Sequence, residues 1–175
     1  MKLQRGLIPI LLISVTLIGC DQLTKSLART HLKGQPAKEY LGNKLQLIYV
    51  ENTGAVLSLG ADWSDNTSFW LLSVIPFLVM LGFLWYILLN KNSMSTVSLF
   101  AWLMVFSGGI GNLIDRLLND RHVSDFIYME WGALHTGVFN VADIYVTTGA
   151  ILILGTSFME GLKKKKEEPV TLDNN

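Results

Sequence analysis

An aspartate inside an apolar segment places the strongest constraint on how this chain can fold. Asp143 lies in the sequence Val138-Phe-Asn-Val-Ala-Asp-Ile144, and no charged residue occurs from Ile144 to Met159. Such a segment predicts a membrane helix, where an ionised carboxylate at bilayer depth costs about 2.5 kcal/mol or more. Charged residues in membrane helices are rare and usually serve a function. We therefore treat Asp143 as a candidate functional residue.

A second candidate acid, Asp125, lies 18 residues upstream at the end of a polar loop, in His122-Val-Ser-Asp-Phe-Ile127. We expect Asp125 and Asp143 to meet. Two carboxylates that are close together in a low dielectric cannot both ionise easily, so they tend to share one proton. The ionised carboxylate can then deprotonate a water while the protonated one polarises an amide carbonyl. This division of labour is that of an aspartic protease and needs no metal.

The composition indicates a membrane protein. Half of the 175 residues are hydrophobic and only 16% are charged, whereas soluble domains carry roughly 25% charged residues. The length is that of a single domain, and the zero net charge gives no indication of nucleic-acid binding. Cys20 is the one cysteine, which excludes an internal disulfide, and no His-Glu-x-x-His motif occurs. We expect no metal and no other cofactor.

Four apolar stretches predict four transmembrane helices. They cover about residues 7–28, 69–89, 97–115 and 138–159, which suits the roughly 20 residues that cross a bilayer. Between the first two, the alternation in Lys44–Val50 and the turn at Asn52-Thr-Gly54 predict a small extracytoplasmic β-sheet over about 44–60. The expected fold is a mainly α membrane protein. Residues 1–160 would form one four-helix domain and 161–175 a basic, then polar, cytoplasmic tail.

The N-terminus allows two interpretations. Lys2 and Arg5 precede an uncharged run that ends in Leu17-Ile-Gly-Cys20, which resembles a bacterial lipoprotein signal peptide with a lipidated cysteine. The alternative is a first transmembrane helix that continues through Asp21 and Lys25. The three later spans favour the helix, because a secreted lipoprotein has no need for them.

Basic residues indicate that both termini are cytoplasmic. With four spans, Lys2, Arg5, Lys91 and the four lysines at 163–166 all fall on one side of the membrane. The contrast with the other side is moderate, and the lysines at 163–166, directly after a span, decide the orientation. Both candidate acids then face the outer side.

Further polar residues occur at helical spacing near the two acids. Gly108, Asn112 and Arg116 are four residues apart, so they line one face of the third span. Asn140 and Asp143, followed by Thr147, make a polar stripe on the fourth span. These patterns also fit purely structural roles, namely glycine packing and hydrogen bonds between membrane helices.

The remaining polar residues favour plain interpretations. Asp21 and Lys25 are four residues apart at the outer end of the first helix, which predicts a surface ion pair that contributes a few tenths of a kcal/mol. The histidines are scattered in the outer segments, where solvent-facing positions are expected. They are His31, His122 and His135.

Taken together, these motifs resemble the lipoprotein signal peptidase family, the type II signal peptidases of bacteria. Five blocks carry the resemblance, in order, across most of the chain. They are Asp21-Gln-Leu-Thr-Lys25, Asn52-Thr-Gly-Ala55, residues 108–116, Val123-Ser-Asp-Phe126 and Phe139-Asn-Val-Ala-Asp143. Each block is weak alone, but five in this order and at this spacing are specific.

The resemblance implies four transmembrane helices and a catalytic dyad of Asp125 and Asp143. It implies cleavage of prolipoproteins just before a diacylglyceryl-modified cysteine. The positions that match the substrate pocket of the family are Asn52, Gly54, Asn112, Arg116 and Asn140, and those that match supporting positions are Asp21, Lys25 and Gly108.

The same resemblance predicts the setting of the enzyme. We expect a monomer in the bacterial cytoplasmic (inner) membrane, with prolipoproteins and membrane lipids as its partners. A groove between helices would accept the acyl chains of the substrate. One departure is Leu57, where the family often has an aromatic residue; it concerns the sheet and not the two aspartates.

Other functions fit less well. The chain lacks the Gly-x-Ser-Gly of an intramembrane serine protease, the Gly-x-Gly-Asp of presenilin-like proteases and the paired histidines of a metalloprotease. A proton-coupled carrier could also use a buried aspartate and arginine, although no internal repeat supports this. A structural lipoprotein anchored through Cys20 is the third alternative.

Overall fold

The computed structural model describes residues 6–54 and 63–167, and only the backbone of Asp65 and of residues 163–167. One helix and two strands precede the second span in the described chain: α1 (Leu7–Leu32), β1 (Lys38–Tyr40) and β2 (Leu45–Asn52). The second span combines α2 (Asp65–Phe69), a π-helical segment (Trp70–Val74) and α3 (Ile75–Asn90). The remaining elements are α4 (Thr96–Leu118), β3 (Val123–Trp131), β4 (Leu134–His135) and α5 (Val141–Glu167).

Four helices of the described chain are long and apolar enough to cross a membrane. Their bounds are Leu7–Leu32, Asn66–Asn90, Thr96–Leu118 and Val141–Leu162. The expected four-span, mainly α fold with a small sheet is confirmed. Helix α1 extends past its predicted span to Leu32, because its last turn packs against the sheet and adds no apolar run to the sequence.

A proline accounts for the irregular second span. Pro76 has no N–H with which to bond the carbonyl of Leu72, four residues earlier. The chain forms the wider π turn Trp70–Val74 immediately before α3 and then continues as a regular helix. Segments of this kind occur inside α-helices, often at functional sites.

The sheet draws on two separate segments of the chain. Its strand order is β1-β2-β3-β4, with every pair antiparallel. The prediction that the segment between the first two spans supplies the sheet was therefore incomplete, because β3 and β4 come from between α4 and α5. The return strand expected at 55–60, including Leu57, lies outside the described residues.

Strand β3 also corrects the expected position of Asp125. The sequence predicts the end of a polar loop for this residue, but it lies in a strand whose first four residues are all buried. A strand that is buried on both faces shows no alternation of apolar and polar residues, and alternation is the main strand signal in a sequence.

The sheet rests on the end of α1. Phe126 of β3 forms a buried cluster with Ala28 and Leu32, and Leu47 and Ile127 pack against it. This contact places the end of β2 and the start of β3 above the helix ends. There Asn52 pairs with Val123, two positions along the ladder from the pair of Asp125 with Val50.

Glycines allow α4 and α5 to approach closely. A methyl group on Gly149 of α5 would lie 2.7 Å from the carbonyl oxygen of Ala101 and 2.7 Å from Cγ2 of Val105, both in α4. At the other end of the contact, a methyl group on Gly108 would lie 2.5 Å from the carbonyl oxygen of Ala142. Small residues of this kind let membrane helices pack backbone to backbone.

We expect Gly149→Ala to destabilise the protein by about 1–3 kcal/mol, because the added methyl group overpacks a tight helix contact. Unfolding in detergent would measure the change. Gly155→Ala is the matched control on the same helix, since a methyl group there meets nothing within 4 Å. Equal stability of the two variants would contradict the close α4–α5 contact.

Candidate active site

One asparagine connects the two candidate acids. The Nδ2 of Asn140 donates to Oδ1 of Asp125 at 2.6 Å, and its Oδ1 accepts the backbone N–H of Asp143 at 3.1 Å. The backbone N–H of Asn140 in turn donates to Oδ2 of Asp143 at 3.0 Å. The structure therefore brings Asp125 and Asp143 to the two sides of a single, fully buried side chain.

The start of α5 explains how Asp143 is positioned. Asn140 immediately precedes the helix and Asp143 is its third residue. Their reciprocal hydrogen bonds form a capping box, in which the side chains satisfy two backbone N–H groups that the helix leaves free. The same local sequence therefore begins the helix and fixes the carboxylate.

Asp125 receives a second hydrogen bond from the end of β2. Asn52 Nδ2 donates to Asp125 Oδ2 at 2.9 Å. Burial raises the pKa of the Asp125 carboxyl to about 6, and the charge of Asp143 acts in the same direction. The hydrogen bonds from Asn52 and Asn140 lower this pKa, because they stabilise the ionised form.

Asn112 holds the other oxygen of Asp143. Its Nδ2 donates to Asp143 Oδ1 at 2.9 Å, and its Oδ1 accepts from Lys25 Nζ at 2.8 Å. Because an ammonium group can only donate, Lys25 determines which end of the Asn112 amide faces Asp143. Asn140 Nδ2 lies 3.2 Å from the same Asn112 oxygen and favours the same orientation.

The expectation that Asp21 and Lys25 form a surface ion pair was wrong. Their charged groups are 2.9 Å apart, and the side chains are 0% and 1% exposed. Asp21 Oδ1 also accepts the backbone N–H of Ala142, in the first turn of α5. The spacing of four residues predicts the contact between them, but a local pattern does not show that α4 and α5 cover it.

Asp115 is an important residue that the sequence argument did not single out. Its Oδ2 accepts the backbone N–H of Ser124 at 2.9 Å and lies 3.4 Å from Lys25 Nζ. Asp115 therefore holds the strand residue next to Asp125. Its position between Asn112 and Arg116, within a matching block, was the available signal.

Gln22 is a second residue that was missed. Its Nε2 lies 3.1 Å from Asp21 Oδ2 and 3.0 Å from the carbonyl oxygen of Gly111. Gly111 leaves room for these contacts, since a methyl group there would clash with Asp21 Oδ2.

Arg116 and Gly54 lie next to the pair of acids. Arg116 Nη2 donates to the carbonyl oxygen of Gly54 at 2.9 Å, and the N–H of Gly54 donates to Asn52 Oδ1 at 2.9 Å. Within residues 6–54 and 63–167, the buried Nε of Arg116 has no hydrogen-bond acceptor. One guanidinium donor in this part of the chain thus stays available for a ligand.

The remaining predicted residues are placed as follows. Gly108, one helical turn before Asn112, contacts the backbone of Ala142. Thr147 is exposed, so the polar stripe on α5 does not continue beyond Asp143 into the site. His31 and His135 are exposed as expected, whereas His122 is half-buried against the carbonyl of Asn119.

An apolar groove runs from the site between the second and third spans. Its volume is about 770 Å³, and it is lined by Phe69, Ser73, Val74, Phe77, Ile110, Leu113, Ile114, Arg116, Leu117, Asp120 and Arg121. Arg116 belongs to both the groove and the site. The π-helical segment contributes Ser73 and Val74 to the wall.

Comparison with known proteins identifies a single family. Residues 13–159 match the family model described as signal peptidase (SPase) II. The chain is 34% identical over 156 residues to the lipoprotein signal peptidase of Borrelia garinii subsp. bavariensis, covering 86% of this chain and 89% of that protein. It is 34% identical over 140 residues to that of Streptococcus pyogenes serotype M1, covering 80% and 86%.

Two solved structures share the fold of this chain. A bacterial membrane enzyme superimposes with a TM-score of 0.79 at 26% identity, covering 98% of this chain and 99% of that one. A second bacterial membrane enzyme gives a TM-score of 0.73 at 24% identity, which shows the fold alone.

We expect Lys25→Met to destabilise the protein by about 3–5 kcal/mol, because it leaves two buried carboxylates without their cation. The measurement is unfolding in detergent. Lys33→Met is the control: it removes the exposed partner of Glu51, and exposed pairs contribute little. If both variants unfold alike, the buried network does not support the fold.

Proposed function

Because this chain belongs to the signal peptidase II family, we propose that it cleaves prolipoproteins with Asp125 and Asp143 as its catalytic pair. The family makes the chain a membrane peptidase that removes signal peptides from lipoproteins. The aspartic mechanism, the position of the cut and the roles of individual residues are the proposal.

One observation carries the aspartic mechanism: a single buried asparagine touches both carboxylates. Asn140 contacts Asp125 through its amide nitrogen and Asp143 through its oxygen and its backbone N–H. Two acids held this close in a low dielectric favour a shared proton. That is the starting state which metal-free hydrolysis by two acids requires.

The reaction follows from this starting state. The ionised aspartate removes a proton from a water, whose oxygen attacks the carbonyl carbon of the scissile peptide bond. The protonated aspartate transfers its proton to the carbonyl oxygen, which gives a neutral tetrahedral intermediate. The C–N bond then breaks as the first aspartate protonates the leaving nitrogen and the second recovers a proton from a hydroxyl of the intermediate. The pair ends with one proton, as it began.

The contacts divide the expected pocket residues into two groups. The amide groups of Asn112 and Asn140 form hydrogen bonds with the two carboxylates and with each other. We therefore assign both residues to positioning the acids. Arg116 has an Nε that no acceptor in residues 6–54 and 63–167 contacts, and together with the Asn52–Gly54 turn it would bind peptide carbonyls near the scissile bond.

The apolar groove supports a lipid-modified substrate. The bond to be cut precedes a cysteine that carries a diacylglyceryl group, so the acyl chains must lie beside the acids. The groove is mostly apolar and includes Arg116 in its lining, and Arg116 contacts the Asn52–Gly54 turn. We propose that it holds these chains during cleavage.

The setting of the enzyme completes the proposal. We propose a monomer in the bacterial cytoplasmic membrane, with both termini cytoplasmic and the acids near its outer face. The substrate is then itself a membrane segment that reaches the site from within the bilayer. Residues 1–160 act as a single peptidase domain.

We expect Asp125→Asn and Asp143→Asn each to reduce cleavage of a diacylglyceryl-modified prolipoprotein by at least about two orders of magnitude, because each removes a proton-transferring group. Purified protein in detergent would be assayed with and without EDTA, which should not affect the wild type. An unmodified prolipoprotein serves as the substrate control and should be cleaved poorly.

Two results would contradict this assignment. Cleavage at the wild-type rate by either variant would remove that aspartate from the mechanism. Absence of cleavage by folded wild-type protein would favour the carrier alternative, for which proton-linked transport in vesicles is the assay.

We expect Asn52→Ala to move one limb of the pH–rate profile to higher pH. Asp125 ionises as the pH rises through its pKa of about 6, and losing the Asn52 hydrogen bond raises that pKa further. Profiles of kcat/KM for wild type and variant would show the shift. If activity is lost as the pH falls through this pKa, Asp125 acts as the base. If activity is lost as the pH rises through it, Asp125 acts as the acid.

Tyr49→Phe is the control for this experiment. It removes a nearby hydroxyl that bonds Glu51 and Ser124 and not Asp125, so its profile should stay in place. An Asn52→Ala limb that does not move would show that this hydrogen bond does not tune Asp125 during catalysis.

A further inference from the structure

Two hairpin tips at the far end of the sheet expose large apolar side chains. Leu41 is 76% exposed and Tyr40 is 46% exposed at the β1–β2 turn, while Leu134 is 76% exposed and Trp131 is 50% exposed at the β3–β4 turn. The opposite end of the sheet carries Asn52 and Asp125. The tips are thus separate from the candidate active site.

The two tips lie side by side. Leu45 pairs with Tyr40 on one side and with Met129 on the other. The backbone N–H of Glu130 donates to the carbonyl of Lys44 at 3.0 Å, and Trp131 pairs with Leu134 just beyond. The four exposed side chains therefore belong to one end of a continuous sheet.

A leucine at position 41 is unfavourable for two reasons, its backbone conformation and its exposure. It has a φ of 55° and is followed by Gly42 at 65° and Asn43 at 68°, so three consecutive residues are left-handed. Glycine and asparagine adopt this conformation readily, whereas a leucine adopts it at a cost in free energy. It is also 76% exposed, so burial against the described residues contributes little to its stability. An environment outside the chain would explain why an apolar residue stands here.

The packing of the sheet on α1 places it at the height of a membrane surface. Leu27 is 49% exposed and belongs to α1, a candidate membrane-spanning helix. Ala28 and Leu32 of the same helix pack against Phe126 of the sheet. At about 1.5 Å per residue, Leu32 lies roughly 7 Å beyond Leu27 along the helix. The headgroup layer of a bilayer has a similar thickness, about 5–7 Å on each side.

We propose that the two hairpin tips, Tyr40–Leu41 and Trp131–Leu134, insert into the bilayer surface on the side of the sheet. Leucine side chains would enter the acyl boundary, and the amphipathic tyrosine and tryptophan would lie among the headgroups, where such rings are enriched. The nearby charges of Lys38 and Lys44 balance those of Glu39 and Glu130. The contact is therefore apolar and needs no anionic lipid.

The consequence is a sheet that is held at both ends. One end is bound to the helices through Phe126, Ala28 and Leu32, and the other would be held by lipid. Since Asp125 and Asn52 belong to the same two strands, the bilayer would help to hold the sheet over the candidate active site. The proposal does not depend on catalysis, and its test reads membrane contact only.

Site-specific fluorescence in vesicles would test the proposal. Leu41→Cys and Leu134→Cys would each be made in a Cys20→Ser background, since Cys20 is exposed, and labelled with an environment-sensitive dye. The protein would be reconstituted in phosphatidylcholine vesicles. Quenching by a spin-labelled lipid would be compared with quenching by aqueous iodide.

Two control positions calibrate the signals. Leu78→Cys reports the bilayer, because this residue of α3 is 58% exposed within a membrane-spanning helix. Gln35→Cys reports water, because this exposed polar residue follows the end of α1. Both tip labels should be quenched by the lipid probe about two-fold or more above the Gln35 position, and by iodide correspondingly less.

Either of two outcomes would overturn the proposal. Tip labels that behave as the Gln35 position does would show that the hairpins stand in water. Labels that are protected from both quenchers would show that protein covers the tips, as a second copy of this chain would. The two hairpins give independent readings, so failure of one variant to fold leaves the other to decide.

Discussion

The buried ammonium group of Lys25 holds the candidate active site together. It lies 2.9 Å from Asp21 in its own helix, 2.8 Å from Asn112 in α4 and 3.4 Å from Asp115. A buried charge is costly without partners, and this one has three. Through Asp21 the same group reaches the first turn of α5, so the cation links the three helices that meet below the two acids.

This network also determines what the neighbouring amides can do. Because Lys25 occupies the oxygen of Asn112, only the amide nitrogen of Asn112 faces Asp143. Asn140 has a comparable constraint, since its oxygen caps α5 and its nitrogen binds Asp125. Both carboxylates therefore receive fixed donors before any substrate binds, which is the preorganisation that electrostatic catalysis requires.

The sequence predicts the parts of this site that depend on composition and order along the chain. Apolar runs reveal the four spans, and a lone charge in an apolar run reveals Asp143. Two features could not be predicted in the same way: the location of Asp125 in a buried strand, and the burial of Asp21 and Lys25. Each depends on which other elements of the fold cover these residues. The resemblance to a family identified these residues without giving their geometry, and Asp115 needed the structure.

The membrane sets opposing demands on this arrangement. In the reaction proposed above, hydrolysis needs water and two acids, whereas a lipid-modified substrate and its signal segment need an apolar path. The structure meets both demands at the helix ends, where the groove reaches Arg116 and Arg116 in turn contacts the turn that carries Asn52. Polar groups lie on the sheet side of this junction and apolar ones on the span side. Under the proposed function, a substrate that moves along the groove would bring its lipid-bearing cysteine to the acids while its acyl chains stay in apolar surroundings.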